Sequence, residues 1–274
     1  MTANGETSTE SVEVDAKLRL GGMALRNGLL VHGPTHWAAA VRAPDGGIRV
    51  ASGVKPRIGG FDDVPGVRGV LRLGEALAVI PLVRRALPEA RLAFESPSVL
   101  GVAAGASLSG FLLRRRGGST GDAAAAVVSL APAVFALRGG ELAAYHGVEH
   151  KAIAAYEQDA PDAAGTAKEH DRCGSHLVTP MLASNLAGSL LLRRAIEKPG
   201  PVAGGLLGIA STAVAVEVFS WCERHAASPL ARALRRPGYE LQRLLGTREP
   251  DERQLEVGRA ALAEILRVEP AKGA

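Results

Sequence analysis

Four apolar stretches run through the middle and later part of the chain, and they restrict the fold to two plans. They are Ser98–Leu113, Ala123–Leu137, Leu177–Leu192 and Val202–Trp221. The first three hold 16, 15 and 16 residues, short of the roughly 20 that span a hydrocarbon core. The fourth reaches 20 but contains Glu217. Under one plan the stretches are core helices of a soluble bundle. Under the other they are short membrane helices packed through small residues such as Gly101, Gly105, Gly110, Gly188 and Gly208. Basic clusters follow or adjoin apolar segments at Arg84-Arg85, Arg114-Arg115-Arg116, Arg193-Arg194 and Arg235-Arg236. Residues 98–113 carry no charge and lead directly into three arginines. Such stops resemble membrane flanks. The expected fold is therefore mostly α with a small N-terminal β region: a multi-pass helical membrane protein with a metal-binding loop or helix.

Four spans would place the N-terminal region, residues 138–176 and the C-terminal tail on one side, with the short loops 114–121 and 193–201 on the other. The first side has more Lys and Arg near helix ends, at Arg84, Arg85, Arg91, Arg138, Arg224, Arg232, Arg235 and Arg236. The positive-inside rule then sets residues 138–176 in the cytoplasm. The expected location is the cell membrane and the expected partner the lipid bilayer, besides an unknown protein partner or substrate. The net charge is +4, but no aromatic residues interleave with the arginines, so no nucleic acid is expected. Two cysteines, Cys173 and Cys222, in such settings suit a reducing compartment.

Residues 20–58 read as β structure. Trp37, Ala39 and Val41 alternate with Ala38, Ala40 and Arg42, and Asp45-Gly46-Gly47 makes a tight turn into Ile48-Arg49-Val50. Residues 64–93 read as helix with a kink at Pro81. Residues 229–246 form a basic amphipathic stretch interrupted at Pro237-Gly238, and residues 251–267 a last helix with an acidic first turn. Residues 1–16 are polar and acidic without an apolar core, so they read as a disordered tail with no secretory leader. Residues 268–274 read as a second tail. No P-loop, dinucleotide glycine fingerprint or Gly-x-Ser-x-Gly elbow is present.

The chemistry is concentrated at Tyr145-His146-Gly147-Val148-Glu149-His150-Lys151 and, twenty residues on, at His170-Asp171-Arg172-Cys173-Gly174. His146 and His150, four apart on a helix, project from one face. His170 and Cys173 add an imidazole and a thiol, the donors that borderline-soft divalent metals take. His-x-x-Glu-His is the reversed zincin pattern, with Glu149 as the base. If His146, His150, His170 and Cys173 all bind zinc, the site is closed and structural. If three bind, a fourth position stays open. Glu217 is an alternative third ligand, because a carboxylate in an apolar stretch is costly unless paired or bound. Tyr145, Lys151 and Arg172 serve as substrate contacts or as supports of the ligands.

Several of these segments together resemble the bacterial domain-of-unknown-function 1385 family. They are Tyr145–Lys151, Tyr156-Glu157, His170–Gly174, Pro237-Gly238-Tyr239-Glu240-Leu241-Gln242-Arg243 and Thr247-Arg248-Glu249-Pro250. Gly21-Gly22-Met23-Ala24 and Pro65-Gly66-Val67-Arg68-Gly69 extend the likeness, which covers about residues 20–267 of a single domain set at 17–267. The resemblance implies a metal-dependent, membrane-integral protein and supplies no substrate. Met23 and Asn27 replace a Gln and a Glu usual in the family, and Ser175 replaces a Thr. The leading expectation is a zinc-binding membrane protein acting as a metal-dependent hydrolase. The alternatives are a non-catalytic membrane scaffold, which binds a partner and carries structural zinc, and a soluble α-rich metalloprotein.

Overall fold

The Asp45-Gly46-Gly47 turn is where the sheet is organised. Gly46 takes φ +84°, a left-handed value that favours glycine. The Gly47 N–H donates to Asp45 Oδ1 at 2.9 Å. This turn joins β3 (His36–Arg42) to β4 (Ile48–Val54), and a two-residue turn at Arg26-Asn27 joins β1 (Gly21–Leu25) to β2 (Gly28–His32). The result is an antiparallel meander in the order β1-β2-β3-β4. The structure is a computed structural model that describes residues 17–61, 64–138, 140–196 and 199–269. The tail expected over residues 1–16 lies outside the described residues, as do residues 270–274 of the second tail.

Successive strand side chains point to opposite faces, and both faces of this sheet are covered. On one face Leu29, Val31, Ala38 and Ala40 pack with Tyr145, Val148 and Ile153 of α5 (Glu141–Gln158) and with Leu255, Ala261 and Ile265 of α9 (Glu252–Val268). On the other, Leu30, Trp37, Ala39 and Val41 pack with Val79 and Val83 of α1 (Val67–Ala86). Pro81 lies within α1. The α9 start is capped reciprocally: Asp251 Oδ1 accepts the Gln254 N–H at 2.8 Å, and Gln254 Oε1 accepts the Asp251 N–H at 3.0 Å. Such a cap contributes about 1 kcal/mol.

The apolar stretches form a separate bundle. Its members are α2 (Pro97–Arg115), α3 (Gly118–Val128), α4 (Ala131–Leu137), α6 (Val178–Ala195) and α7 (Pro201–Arg224). The chain packs α2 against α3 and α4, α3 against α6, and α6 against α7. Gly188 permits the α6–α7 approach, since a Cβ there would meet Leu207 Cδ1 at 2.2 Å. Ion pairs close the bundle at two points: Arg193 with Asp122 at 2.6 and 2.9 Å, and Arg68 of α1 with Glu217 of α7 at 2.8 Å. The remaining helix, α8 (Pro229–Leu241), continues into a π-helical turn, Gln242–Gly246.

Among the described residues, three helices are long and apolar enough to cross a membrane: Pro97–Arg115, the joined Gly118–Leu137, and Val202–Arg224. The stretch expected to be a fourth, Leu177–Leu192, is not among them. Its helix begins only at Val178, carries Thr179, Ser184, Asn185 and Ser189, and ends on Arg193-Arg194.

Candidate metal centre

Helix α5 is the centre of the site. Of its 18 residues, Leu142 to Tyr145 and Gly147 to Ala155 are buried, so its polar side chains must be satisfied within the protein. Tyr145, Val148 and Ile153 take the sheet side. His146 and His150, one turn apart, stand with ring centroids 4.4 Å from each other. His146 Nδ1 is 2.7 Å from the Gly246 carbonyl and His150 Nδ1 is 2.6 Å from the Lys168 carbonyl. A carbonyl only accepts, so each Nδ1 carries the proton and each Nε2 keeps its lone pair. Cys173 Sγ is 3.5 Å from His146 Nε2. One donor atom each from His146, His150 and Cys173 falls within 4.8 Å of the others.

Electrostatics keep both kinds of donor uncharged. Burial, then the neighbouring His146, holds the His150 pKa down to about 2. Burial pushes the Cys173 thiol up to about 11, against hydrogen bonds from Ser175. Without a cation the sulfur stays protonated; a bound cation is the influence that reverses this. Glu149 is 6% exposed, and burial raises its pKa. Its Oε2 lies 3.6 Å from His150 Nε2.

The other candidates stand elsewhere. His170 is beside the cluster, its ring 5.6 Å from that of His150. However, its Nε2 faces Glu157 Oε2 at 3.1 Å and its Nδ1 accepts the Arg172 N–H at 3.2 Å. Both nitrogens are occupied, so the structure sets His170 apart from the three. Glu217 is remote in role: it accepts from Gly66 N–H at 2.9 Å and pairs with Arg68. That pairing resolves the cost of its apolar setting without a metal. Tyr145 belongs to the core. Lys151 Nζ donates to the carbonyls of Ala164 and Thr166 at 3.1 and 2.6 Å and pairs with Glu249 at 2.7 Å, which is a tether. Arg172 donates to Glu157 and to the Leu20 carbonyl at 3.2 Å.

Two important residues escaped sequence reasoning. Gln242 is fully buried. Its Oε1 accepts the His170 N–H at 2.7 Å, while its Nε2 faces Ser175 Oγ at 2.9 Å and the His170 carbonyl at 3.1 Å. It therefore fixes the loop that presents Cys173. His176, 3% exposed, holds the same loop to α8 through the Arg235 carbonyl at 2.9 Å. The motif around Gln242 is visible in the sequence, but nothing local assigns it this partner seventy residues back.

A helical protein with a largely buried His–His–Cys cluster beside a small sheet is thus defined. Residues 141–268, from the start of α5 to the end of α9, match the model of a family described as "Protein of unknown function (DUF1385)". The uncharacterised protein YqhQ of Bacillus subtilis (strain 168) is similar, 33% identical over 137 residues, covering 46% of this chain and 40% of the relative. The chain therefore spans about two fifths of the length of the curated relative it matches. Both findings support the DUF1385 family and neither brings an activity. No solved structure matches.

Proposed function

We propose that this is a membrane protein that binds one divalent transition metal, zinc by preference, through His146 Nε2, His150 Nε2 and Cys173 Sγ, and acts as a metal-dependent hydrolase. The observation that carries the reading is the preset orientation of both imidazoles. Each spends its Nδ1–H on a backbone carbonyl and turns a lone pair toward the thiol. The spacing also suits zinc. Bonds of about 2.1 Å to nitrogen and 2.3 Å to sulfur in a tetrahedron set N and S about 3.6 Å apart, and His146 Nε2 and Cys173 Sγ are 3.5 Å apart.

When bound, the metal supplies Lewis acidity to a substrate oxygen. The chain supplies the rest. Glu149 takes the proton from the attacking water at a carboxylate oxygen. Its burial raises its proton affinity, which suits a base that must also return the proton. The sheet and α9 exclude water from the far side of α5.

A second reading rests on the same carboxylate. Glu149 is buried and 3.6 Å from His150 Nε2. As a fourth ligand it would close the site and leave a structural metal in a partner-binding scaffold. Metal analysis and X-ray absorption on the purified chain separate the two. We expect about one zinc per chain, most of it lost in His146→Ala or Cys173→Ala and retained in His170→Ala. Glu149→Gln keeps the metal under the hydrolase reading and loses it under the scaffold reading. Full occupancy in a His146→Ala/Cys173→Ala double variant overturns the assignment altogether.

A further inference from the structure

A second site lies away from the His–His–Cys cluster, where the bundle meets the sheet. A cavity of about 340 Å3 opens between the β1–β2 turn, the start of α2, the end of α4 and the start of α5. That volume is inside the range of roughly 300–1,000 Å3 that ligand sites occupy. Two exposed arginines line it, Arg26 from the turn and Arg138 just after α4. Neither has a hydrogen bond or ion pair from its side chain among the described residues. An anion in the cavity would meet both of them.

The protein does not supply that anion from the acids flanking the cavity in sequence. Glu95 is committed to Arg84 Nε at 3.2 Å and to the Leu92 N–H at 3.0 Å. Glu141 accepts from Gln254 at 3.3 Å. The serine hydroxyls add a donor. Ser96 Oγ and Ser98 Oγ are 2.8 Å apart, and a pair sharing one hydrogen bond leaves one O–H free to donate. The cavity thus offers two planar cationic forks and a hydroxyl, which is the set that binds phosphate. The rest of its lining is apolar, with Val99, Phe135 and Leu142.

The location indicates what carries the phosphate. Val99 lies in the first turn of one of the three helices apolar and long enough to cross a membrane, and Phe135 in the last turn of another. If those helices span the bilayer, the cavity lies at headgroup depth, with Phe135 and Val99 toward the chains. We infer that this cavity binds the phosphate of an anionic phospholipid through Arg26 and Arg138. The inference rests on the membrane part of the proposed function and not on the metal.

The test uses the full chain in nanodiscs and native mass spectrometry of retained lipid. With phosphatidylglycerol against phosphatidylcholine, wild type should retain about one phosphatidylglycerol per chain. Arg26→Ala/Arg138→Ala should retain about tenfold less, the loss that charged hydrogen bonds of this kind produce. Arg26→Lys/Arg138→Lys should retain an intermediate amount. Arg49→Ala/Arg259→Ala, which removes two exposed arginines already paired with acids, should match wild type. Equal phosphatidylglycerol retention in wild type and Arg26→Ala/Arg138→Ala overturns the site. Stabilisation by inorganic phosphate that depends on both arginines, with no selectivity for phosphatidylglycerol, overturns the lipid source and assigns the site to free phosphate. Metal content and carbonate extraction, measured in parallel, report separately on the proposed function.

Discussion

Glu149 has a close neighbour that determines where its carboxylate goes. A Cβ on Gly22 would approach Glu149 Oε1 to 2.5 Å and Cγ to 2.6 Å. Gly22 therefore leaves the room in which the carboxylate lies. Gly22→Ala is expected to cost about 1–3 kcal/mol through overpacking, and adding Glu149→Ala should recover most of it by vacating the contact. Thermal melts of the three variants check this; a double variant no more stable than Gly22→Ala alone would place the cost elsewhere. Next to Gly22, Met23 packs on the opposite face of the sheet, against the α1 side. The Met23 side chain thus points away from Glu149. Asn27 is also structural: its Nδ2 donates to the carbonyls of Arg42 and Glu89, and its Oδ1 accepts the Arg91 N–H. A different residue, His32, gives the chain a pH response. Burial lowers its pKa to about 4; Lys55 acts in the same direction and Glu269 opposes it. Above the unfolded value of about 6.5 neither state binds the proton. As pH falls from there toward 4 the unfolded chain binds it and the folded chain does not, so stability drops across that window and levels off below it. The thermal midpoint of wild type should therefore fall between pH 7 and pH 4.5 by more than that of His32→Asn. Equal slopes would remove His32 as the cause.

At the scale of elements, α5 and the two segments bound to it form the working unit. Lys151, 3% exposed, ties α5 to Ala164 and Thr166 on one segment and to Glu249 on another. The segments it fastens lead to Lys168 and follow Gly246, whose carbonyls orient His150 and His146. Lys151→Met keeps the aliphatic stem and removes the donors. It should cost about 2–4 kcal/mol, most of it from the two carbonyls left unpaired, because the Glu249 carboxylate can turn to water. Limited proteolysis should then cut between Ala163 and Lys168 faster than in wild type; an unchanged rate would show that the segment is held by other contacts. This unit also marks where the sequence stops being readable. The His146–His150 pair follows from helical spacing alone, and the Asp45-Gly46-Gly47 turn and the acidic start of α9 follow from local chemistry. The choice between His170 and Cys173 does not. It is made by Glu157 and Gln242, 13 and 72 residues away, which hold the His170 Nε2 and backbone N–H, and by the Arg172 N–H, which donates to His170 Nδ1 from two residues on. The burial of α5 was equally hidden, because a helix covered on nearly every side has no polar face for periodicity to reveal.

At the scale of the whole molecule, two bodies of different chemistry share one chain. The sheet buries its apolar residues in two cores, one shared with α5 and α9 and one with α1. The bundle does the reverse: Leu108, Phe111, Val127, Leu191, Val202, Leu206 and Ile209 are exposed on α2, α3, α6 and α7. An exposed apolar surface of this extent on a soluble monomer is a liability, whereas lipid covers it at no cost. Two ion pairs at the bundle fit the same setting, Arg68 with Glu217 and Arg193 with Asp122. An isolated charge there would be expelled or neutralised. Small residues at the contacts, such as Gly188 against Leu207, permit the close helix packing that association in lipid requires. The chain is therefore expected to stay with the membrane fraction through a carbonate wash and to need detergent for extraction. Glu217→Ala should remove the ion pair that joins α1 to α7, loosening the two helices and lowering the yield of extracted, monodisperse protein. Recovery of monodisperse wild type after carbonate washing without detergent would rule out the spanning role of these helices. It would leave the His146–His150–Cys173 geometry as it stands, because that cluster is built on α5 and its two tethered segments and draws no donor from the bundle.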